Sequence, residues 1–218
     1  MKQYGQFCSV ARALDVLGDR WALLVVRELL FGPKRYTDLV DGLPGVGTNV
    51  LAVRLRELED AGIIAREKLP RPTPATVYVL TDDGRALRPV LDALARWGLR
   101  LMDHPQRDDA VRAAWLVSSV AVSTPTTDMP DGEIEFRIDN ETHTVVVRDG
   151  SFEARQGAAA RPNAVVEVPA RALFRLVNGQ ARRRELEDDG QIAVEGDTRA
   201  ARRFLDAAHG AWLEAAAQ

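Results

Sequence analysis

The stretch TNVLAVRLRELEDAG, Thr48 to Gly62, decides how the rest of the chain is read. Leu51, Leu55 and Leu58 recur at four and three residues, which puts them on one face of a helix. Asn49, Val53, Arg56 and Asp60 fall on the opposite face, and Gly62 is the residue type that most readily takes the left-handed position after a helix. Upstream, YTDLVDGL from Tyr36 to Leu43 is a shorter helical run, separated from the first by Pro44, Gly45 and Gly47. Two short helices around a sharp turn form a helix-turn-helix, whose second rod offers Asn and Arg, the side chains that match adenine and guanine edges in a major groove. An exposed polar face alone is equally the mark of an ordinary amphipathic surface helix.

The flanks separate these readings. Ile63 to Leu69 and Ala75 to Leu80 are apolar runs rich in β-branched residues, joined by the stiff tip PRPTP, and they predict a β-hairpin. Arg66, Lys68 and Arg71 lie on it, where they would meet phosphates or a minor groove. Helix, turn, helix and basic hairpin define a winged helix-turn-helix, mostly α with a β-hairpin wing.

Cys8 to Leu101 resembles the HxlR family of winged-helix transcription regulators, relatives of the MarR group. The matching pieces are Cys8, LGDRWALLVVRELLFGPKRYTDL (Leu17 to Leu39), LRELEDAGII (Leu55 to Ile64), VYVLTDDGRAL (Val77 to Leu87) and Trp97-Gly98. The resemblance implies a serine cap where Gly47 stands; glycine serves there too, weaker by a few tenths of a kcal/mol. Some members of the family sense oxidants through a cysteine in the position of Cys8. The alternative reading of Cys8 is a small buried apolar side chain.

Around this motif, Ser9 can cap a first helix carrying Val10, Ala13, Leu14 and Leu17, and Asp19 a second from Arg20 to Phe31, apolar nearly all round and hence central. Lys34 and Arg35 stand at the entrance to the helix-turn-helix, placed to clamp a DNA backbone or simply solvated in a turn. Thr81, Asp82 and Asp83 open a helix expected to run to Met102 with one apolar stripe, Leu87, Val90, Leu91, Leu94, Trp97 and Leu101. At 1.5 Å per residue it would span roughly 30 Å, longer than a small domain's core requires, so it and the first helix are expected to pair with a second copy.

The 218 residues exceed what a winged helix needs. We place a boundary at His104-Pro105, giving a DNA-binding and dimerisation domain, 1–104, and an α+β domain, 105–218. The net charge of -3 would be unusual for a DNA binder, but the first part holds 15 Lys and Arg against 13 Asp and Glu, the second 14 against 19. The acid therefore lies away from the DNA-facing part.

In the second part a helix is expected from Asp108 to Ala121, then strands at Glu133 to Ile138, Thr142 to Arg148, Ser151 to Gln156, Ala164 to Val168 and Gln191 to Glu195. Helices are expected at Ala170 to Asn178 and from Asp197, with a short one between them. Ile134, Phe136 and Ile138 alternate with Glu133, Glu135 and Arg137, which predicts one dry and one wet face. FRIDNETHTVVVRDG from Phe136, RPNAVVEV from Arg161, LFRLVNG from Leu173 and DDGQIAVEGDTRAARRFL from Asp188 are similar to the sterol-carrier-protein-like fold. That resemblance implies an apolar tunnel, for which Trp115, Phe136, Phe152, Phe174, Phe204 and Trp212 are the candidate lining residues, packing being the other reading of each.

The histidines at 104, 143 and 209 lack metal-ligand spacing, and a single cysteine forms no zinc-thiolate site or internal disulfide. Glu135 and His143 could meet across a hairpin, as a surface contact. No catalytic residues, metal or cofactor are expected, nor any export signal or membrane span, so the cytoplasm is the expected location. The sequence thus predicts a homodimeric repressor with Asn49, Val53 and Arg56 at the bases, Thr48 and Ala52 at the margin, and Lys34, Arg35, Arg54, Arg66, Lys68 and Arg71 on phosphates or a minor groove. Its double-stranded DNA operator would be released or held according to a hydrophobic small molecule in the second domain. The alternatives are a redox sensor acting through Cys8 and a hydrophobic-ligand carrier or sequestration protein.

Overall fold

The computed structural model of the chain describes residues 3–69, 74–101, 109–123, 129–149 and 151–217. They form two compact units, Met1–Leu91 and Asp92–Gln218. The boundary expected at His104 lies outside the described residues.

In the first unit, α1 (Ser9–Leu17), α2 (Ala22–Leu30), α3 (Tyr36–Gly42) and α4 (Thr48–Asp60) precede a hairpin of β1 (Ile64–Leu69) and β2 (Ala75–Leu80). α2 is the core helix, with Ala22, Val25, Val26 and Leu29 buried and Leu23, Leu24 and Leu30 packed around them. It starts later than the sequence predicts, because Asp19 shapes a preceding turn: its Oδ1 accepts the Trp21 N–H at 3.0 Å and its carbonyl accepts from Ala22. Cys8, and not Ser9, is the N-cap of α1, with no side-chain hydrogen bond. β1 and β2 pair antiparallel from Ile64 with Leu80 to Leu69 with Ala75. A bridge with no sequence signature extends this sheet: Lys34 and Tyr78 exchange backbone hydrogen bonds of 3.1 and 2.7 Å, tying the α2–α3 connection to the wing.

Thr81 caps the next helix as predicted, accepting from Gly84 N–H at 3.1 Å, while its own hydroxyl donates to the Gly62 carbonyl at 2.6 Å. The single long helix expected from here is instead two, α5 (Asp82–Arg85) and α6 (Arg88–Leu99). Pro89 explains the break, since it has no N–H to offer the Arg85 carbonyl and its ring crowds that turn. Along α6 and just past it, Val90, Leu94, Trp97 and Leu101 remain exposed, as do Val10 and Leu14 of α1.

The second unit is a five-stranded sheet, order β5-β4-β3-β6-β7, from β3 (Gly132–Ile138), β4 (Glu141–Arg148), β5 (Ser151–Gln156), β6 (Ala164–Glu167) and β7 (Ala193–Gly196). All neighbours are antiparallel except β3 and β6. Its helices are α7 (Ala113–Ser123), α8 (Ala170–Val177), α9 (Arg183–Asp188) and α10 (Thr198–Ala217). α7 begins after the predicted Asp108, which lies outside the described residues, and buries Ala113, Ala114, Leu116, Val117, Val120 and Ala121. It packs on α8, α10, β4 and β5, as the central helix of this unit.

Ile134, Phe136 and Ile138 face that layer and are buried, as the alternation predicts. The other face is less wet than expected. Glu135 is only 4% exposed, receiving Arg137 Nε at 2.8 Å and the Ala159 N–H at 3.0 Å. Strand parity also corrects the Glu135 and His143 pairing. His143 lies opposite Phe136 and Glu135 opposite Thr144, so the two side chains stand on opposite faces and both are buried. His143 Nε2 instead lies 3.0 Å from Glu141 Oε2. Between α9 and α10, buried Arg183 forks onto Asp206 at 2.8 and 3.0 Å and reaches Glu187 at 2.6 Å. The hydrogen bonds to Asp206 raise its pKa further, so it stays charged in the interior.

Gly84 carries the tightest test of the first unit's packing. A Cβ there would collide with the Ile63 carbonyl oxygen, a backbone atom that cannot move alone. Gly84→Ala is expected to destabilise the first unit by about 1–3 kcal/mol through overpacking, read as a lowered first transition in thermal unfolding.

Candidate nucleic-acid interface

α4 is built on a clean division of its surface. Leu51, Leu55 and Leu58 are 0%, 2% and 1% exposed, joined in the core by Val25, Leu29, Leu39 and Leu43. Burying a leucine is worth about 1.5–3 kcal/mol, so the three together hold the helix firmly at one rotation about its axis. Thr48, Asn49, Ala52, Val53, Arg56 and Asp60 consequently all face outward. Gly47 is the N-cap and makes no side-chain cap bond. In its place the Tyr36 hydroxyl donates to the Thr48 carbonyl at 2.8 Å, tying the start of α3 to the start of α4. Gly62, at φ +72°, ends the run in the left-handed region.

The basic residues separate into distinct situations. Arg54 departs from its predicted place: its side chain is 14% exposed, and its guanidinium is paired with Asp19 at 2.6 Å and with Glu57 one turn along α4. It braces α4 against the α1–α2 turn and is removed from the phosphate contacts. Arg66 is exposed, but its Nε and Nη2 donate to Glu59 at 3.0 and 2.6 Å and the guanidinium sits 5.8 Å from the centre of the Tyr78 ring. The bond to Glu59 raises its pKa, so at rest its charge is matched within the protein. Lys34 is half-buried with its backbone locked to the wing, and Arg35 is exposed, its N–H donating to Asp38 Oδ2 at 2.8 Å. Lys68 is exposed on β1, on the same face as Arg66, while Arg71 lies outside the described residues. The tie made by Tyr36 leaves no local pattern in the sequence, and the role of Arg54 is signalled there only by Glu57 three residues on.

The aromatic candidates of the second unit fall into two groups. Phe204 packs 5.6 Å from Phe136 and 5.5 Å from Phe152, centre to centre, and all three are buried, so they are core residues rather than a free wall. Trp115 and Phe174 are half-buried, and the side chain of Trp212 lies outside the described ones. Cys8 is exposed, which overturns its reading as a buried side chain in this chain by itself.

An outward polar face on a core-anchored second helix, followed by a paired basic wing, defines a DNA-binding winged helix-turn-helix. Residues 16–106 match the family model described as HxlR-like helix-turn-helix. The HTH-type transcriptional regulator sll1512 of Synechocystis sp. is 43% identical over 94 residues, covering 43% of this chain and 70% of that protein. YvaP of Bacillus subtilis, another HTH-type transcriptional regulator, is 37% identical over 92 residues, covering 42% and 85%. Among solved structures, the reduced form of the transcriptional regulator YodB from B. subtilis is 31% identical, covering 46% of this chain and 100% of that one, with a TM-score of 0.39. The chain belongs to the HxlR-like helix-turn-helix family and is a transcriptional regulator of the HxlR and MarR type. Residues 116–209 match the model described as alkyl sulfatase C-terminal, a match that lies within the α+β second unit. Among the described residues, no helix is long and apolar enough to cross a membrane.

Proposed function

We propose that the protein is a homodimeric repressor in which residues 1–104 bind an operator and pair, and residues 105–218 hold a hydrophobic small molecule that sets the affinity for DNA. The observation that carries the DNA reading is the burial of Leu51, Leu55 and Leu58 behind an outward row of Asn49, Val53 and Arg56. Arg56 and Asn49 read base edges, with Thr48, Ala52 and Val53 beside them; Lys34, Arg35, Arg66 and Lys68 serve the backbone, Arg66 after exchanging Glu59 for a phosphate.

The homodimer is supported by apolar side chains that the chain leaves uncovered. Phe7 and Val10 at α1, and Val90, Leu94 and Trp97 on α6, are all exposed, Trp97 by 52%. A second copy would cover them and carry two recognition helices to half-sites about one DNA turn apart. The effector reading is supported by the fusion of a separate α+β unit and by the half-buried Trp115 and Phe174. A ligand there acts only through unequal affinity for the two DNA-binding states. A second reading, redox control, is favoured by one observation, the exposed thiol of Cys8 at the start of α1. With one cysteine in the chain, its oxidised product would be a disulfide across the dimer or a mixed adduct.

Three measurements test these readings. In titrations of the DNA upstream of its own coding region, Arg56→Ala is expected to cost about 1–3 kcal/mol and relax base preference, whereas Lys68→Ala should weaken all sequences alike and lower the salt slope by about 1. Equal, salt-insensitive binding to every sequence would remove the operator reading. Light scattering at micromolar concentration should give twice the chain mass, and Trp97→Asp should give the single mass; a monomeric native protein would end the dimer proposal. Cys8→Ser should abolish any loss of DNA binding on diamide treatment if the thiol is the sensor, and an unchanged diamide response would eliminate that reading.

A further inference from the structure

Val53 is 47% exposed on the side of α4 opposite its buried leucines. With about 100° between successive residues, the line directly opposite Leu51, Leu55 and Leu58 passes through Val53 and Asp60, and Asn49 and Arg56 lie together on one flank of it. Val50, 45% exposed, lies on the other flank, about 60° round the helix from Val53. A solitary apolar side chain is ordinary on a protein surface. What sets Val53 apart is its place, at the crest of the helix and between Asn49 and Arg56 along it. Valine is a poorer helix former than alanine, and about half of this one is open to water, so neither helix propensity nor core packing accounts for it.

We infer that Val53 selects a thymine, packing against its C5-methyl group in the major groove and adding an apolar reading to the polar ones of Asn49 and Arg56. The inference rests on the operator reading above and names one base within it. Among the hydrogen-bond donors and acceptors that base pairs display in the major groove, the thymine methyl is the apolar projection. A valine set against any of the polar groups would deprive them of water and return no bond. At 1.5 Å of rise per residue, Val53 lies about 6 Å from Asn49 and about 4.5 Å from Arg56 along the axis, so the three side chains span roughly three base-pair steps of about 3.4 Å. The thymine therefore falls inside the short run bounded by the adenine of Asn49 and the guanine of Arg56. Asp60 marks the end of the inserted segment, since its exposed carboxylate, on the same line as Val53, meets phosphates unfavourably.

The test uses the full-length protein and synthetic duplexes of the DNA upstream of its own coding region, trimmed to the protected stretch. Each thymine in turn is replaced by deoxyuridine, which keeps every base-pair hydrogen bond and lacks only the C5-methyl group. One thymine in each half-site should respond, its replacement weakening binding about fourfold, the worth of one buried methyl group. In Val53→Ala that response should fall below about twofold, whereas Val50→Ala, almost equally exposed but off the crest, should keep it in full. Alanine is the better helix former, so both variants retain α4. The inference is overturned if a duplex preferred over a scrambled one is bound without regard to any methyl, if Val53→Ala leaves the response at full size, or if Val50→Ala removes it instead. No preference over the scrambled duplex removes the operator reading itself and thymine selection with it, so the two failures are told apart.

Discussion

The orientation of α4 about its own axis is the constraint on which the rest depends. A helix has no fixed rotational setting of its own; something must choose which side faces out. Here the choice is made by Leu51, Leu55 and Leu58, each nearly completely buried against α2 and α3. Turning the helix by 100°, one residue's worth, would drag a leucine toward water and push Arg54 or Ala52 into the core. With each leucine worth about 1.5–3 kcal/mol in place, that alternative is not populated, and the polar row is presented in one register.

Burial sets rotation but controls sliding and tilt less well, and polar contacts at the two ends supply these. At the N-terminus Gly47 contributes no side-chain cap, and the Tyr36 hydroxyl on the Thr48 carbonyl is the tie instead. Midway, Arg54 bonds to Asp19, which also shapes the turn opening α2. At the C-terminus the Gly62 carbonyl receives the Thr81 hydroxyl, so the end of the recognition helix, the wing and the start of α5 meet at one point. The wing is tied at its other edge by the Lys34–Tyr78 bridge. Helix and wing therefore hang on a shared frame, as two elements that must address one duplex together would require.

Much of this was legible from local pattern. The four-and-three spacing of the leucines, the Thr81-Asp82-Asp83 cap and the period-two strands of the second unit are encoded by near neighbours, and their elements stand where the pattern puts them. What was not legible depends on partners distant in the chain. Lys34 meets Tyr78 through backbone atoms, so no side-chain pattern announces the bridge. Arg54 reads as a free cation from its neighbours in sequence because Asp19, one of its two partners, lies 35 positions away. The Glu135–His143 pairing failed by one residue of register, which in a sheet reverses the face. The split of the long helix is readable in the sequence: Pro89 stands within the stripe, one turn past Arg85.

The two units solve the problem of a charged group near the core in opposite ways, and the contrast bears on where a response can arise. In the second unit Arg183 is buried with its fork fully engaged by Asp206 and a further bond to Glu187, a satisfied arrangement that favours rigidity. Phe204 likewise packs against both Phe136, tilted, and Phe152, edge-on. In the first unit Arg54 is almost as deeply set but divides its guanidinium between two carboxylates that remain about one-third exposed, and its Nε has no hydrogen-bond partner among the described residues. A pair of that kind is held by a smaller margin and can be outcompeted by another charge, because its carboxylates still exchange with water. Elements that switch are drawn from the less satisfied parts of a structure, and among the described residues this less satisfied cluster touches α4 itself.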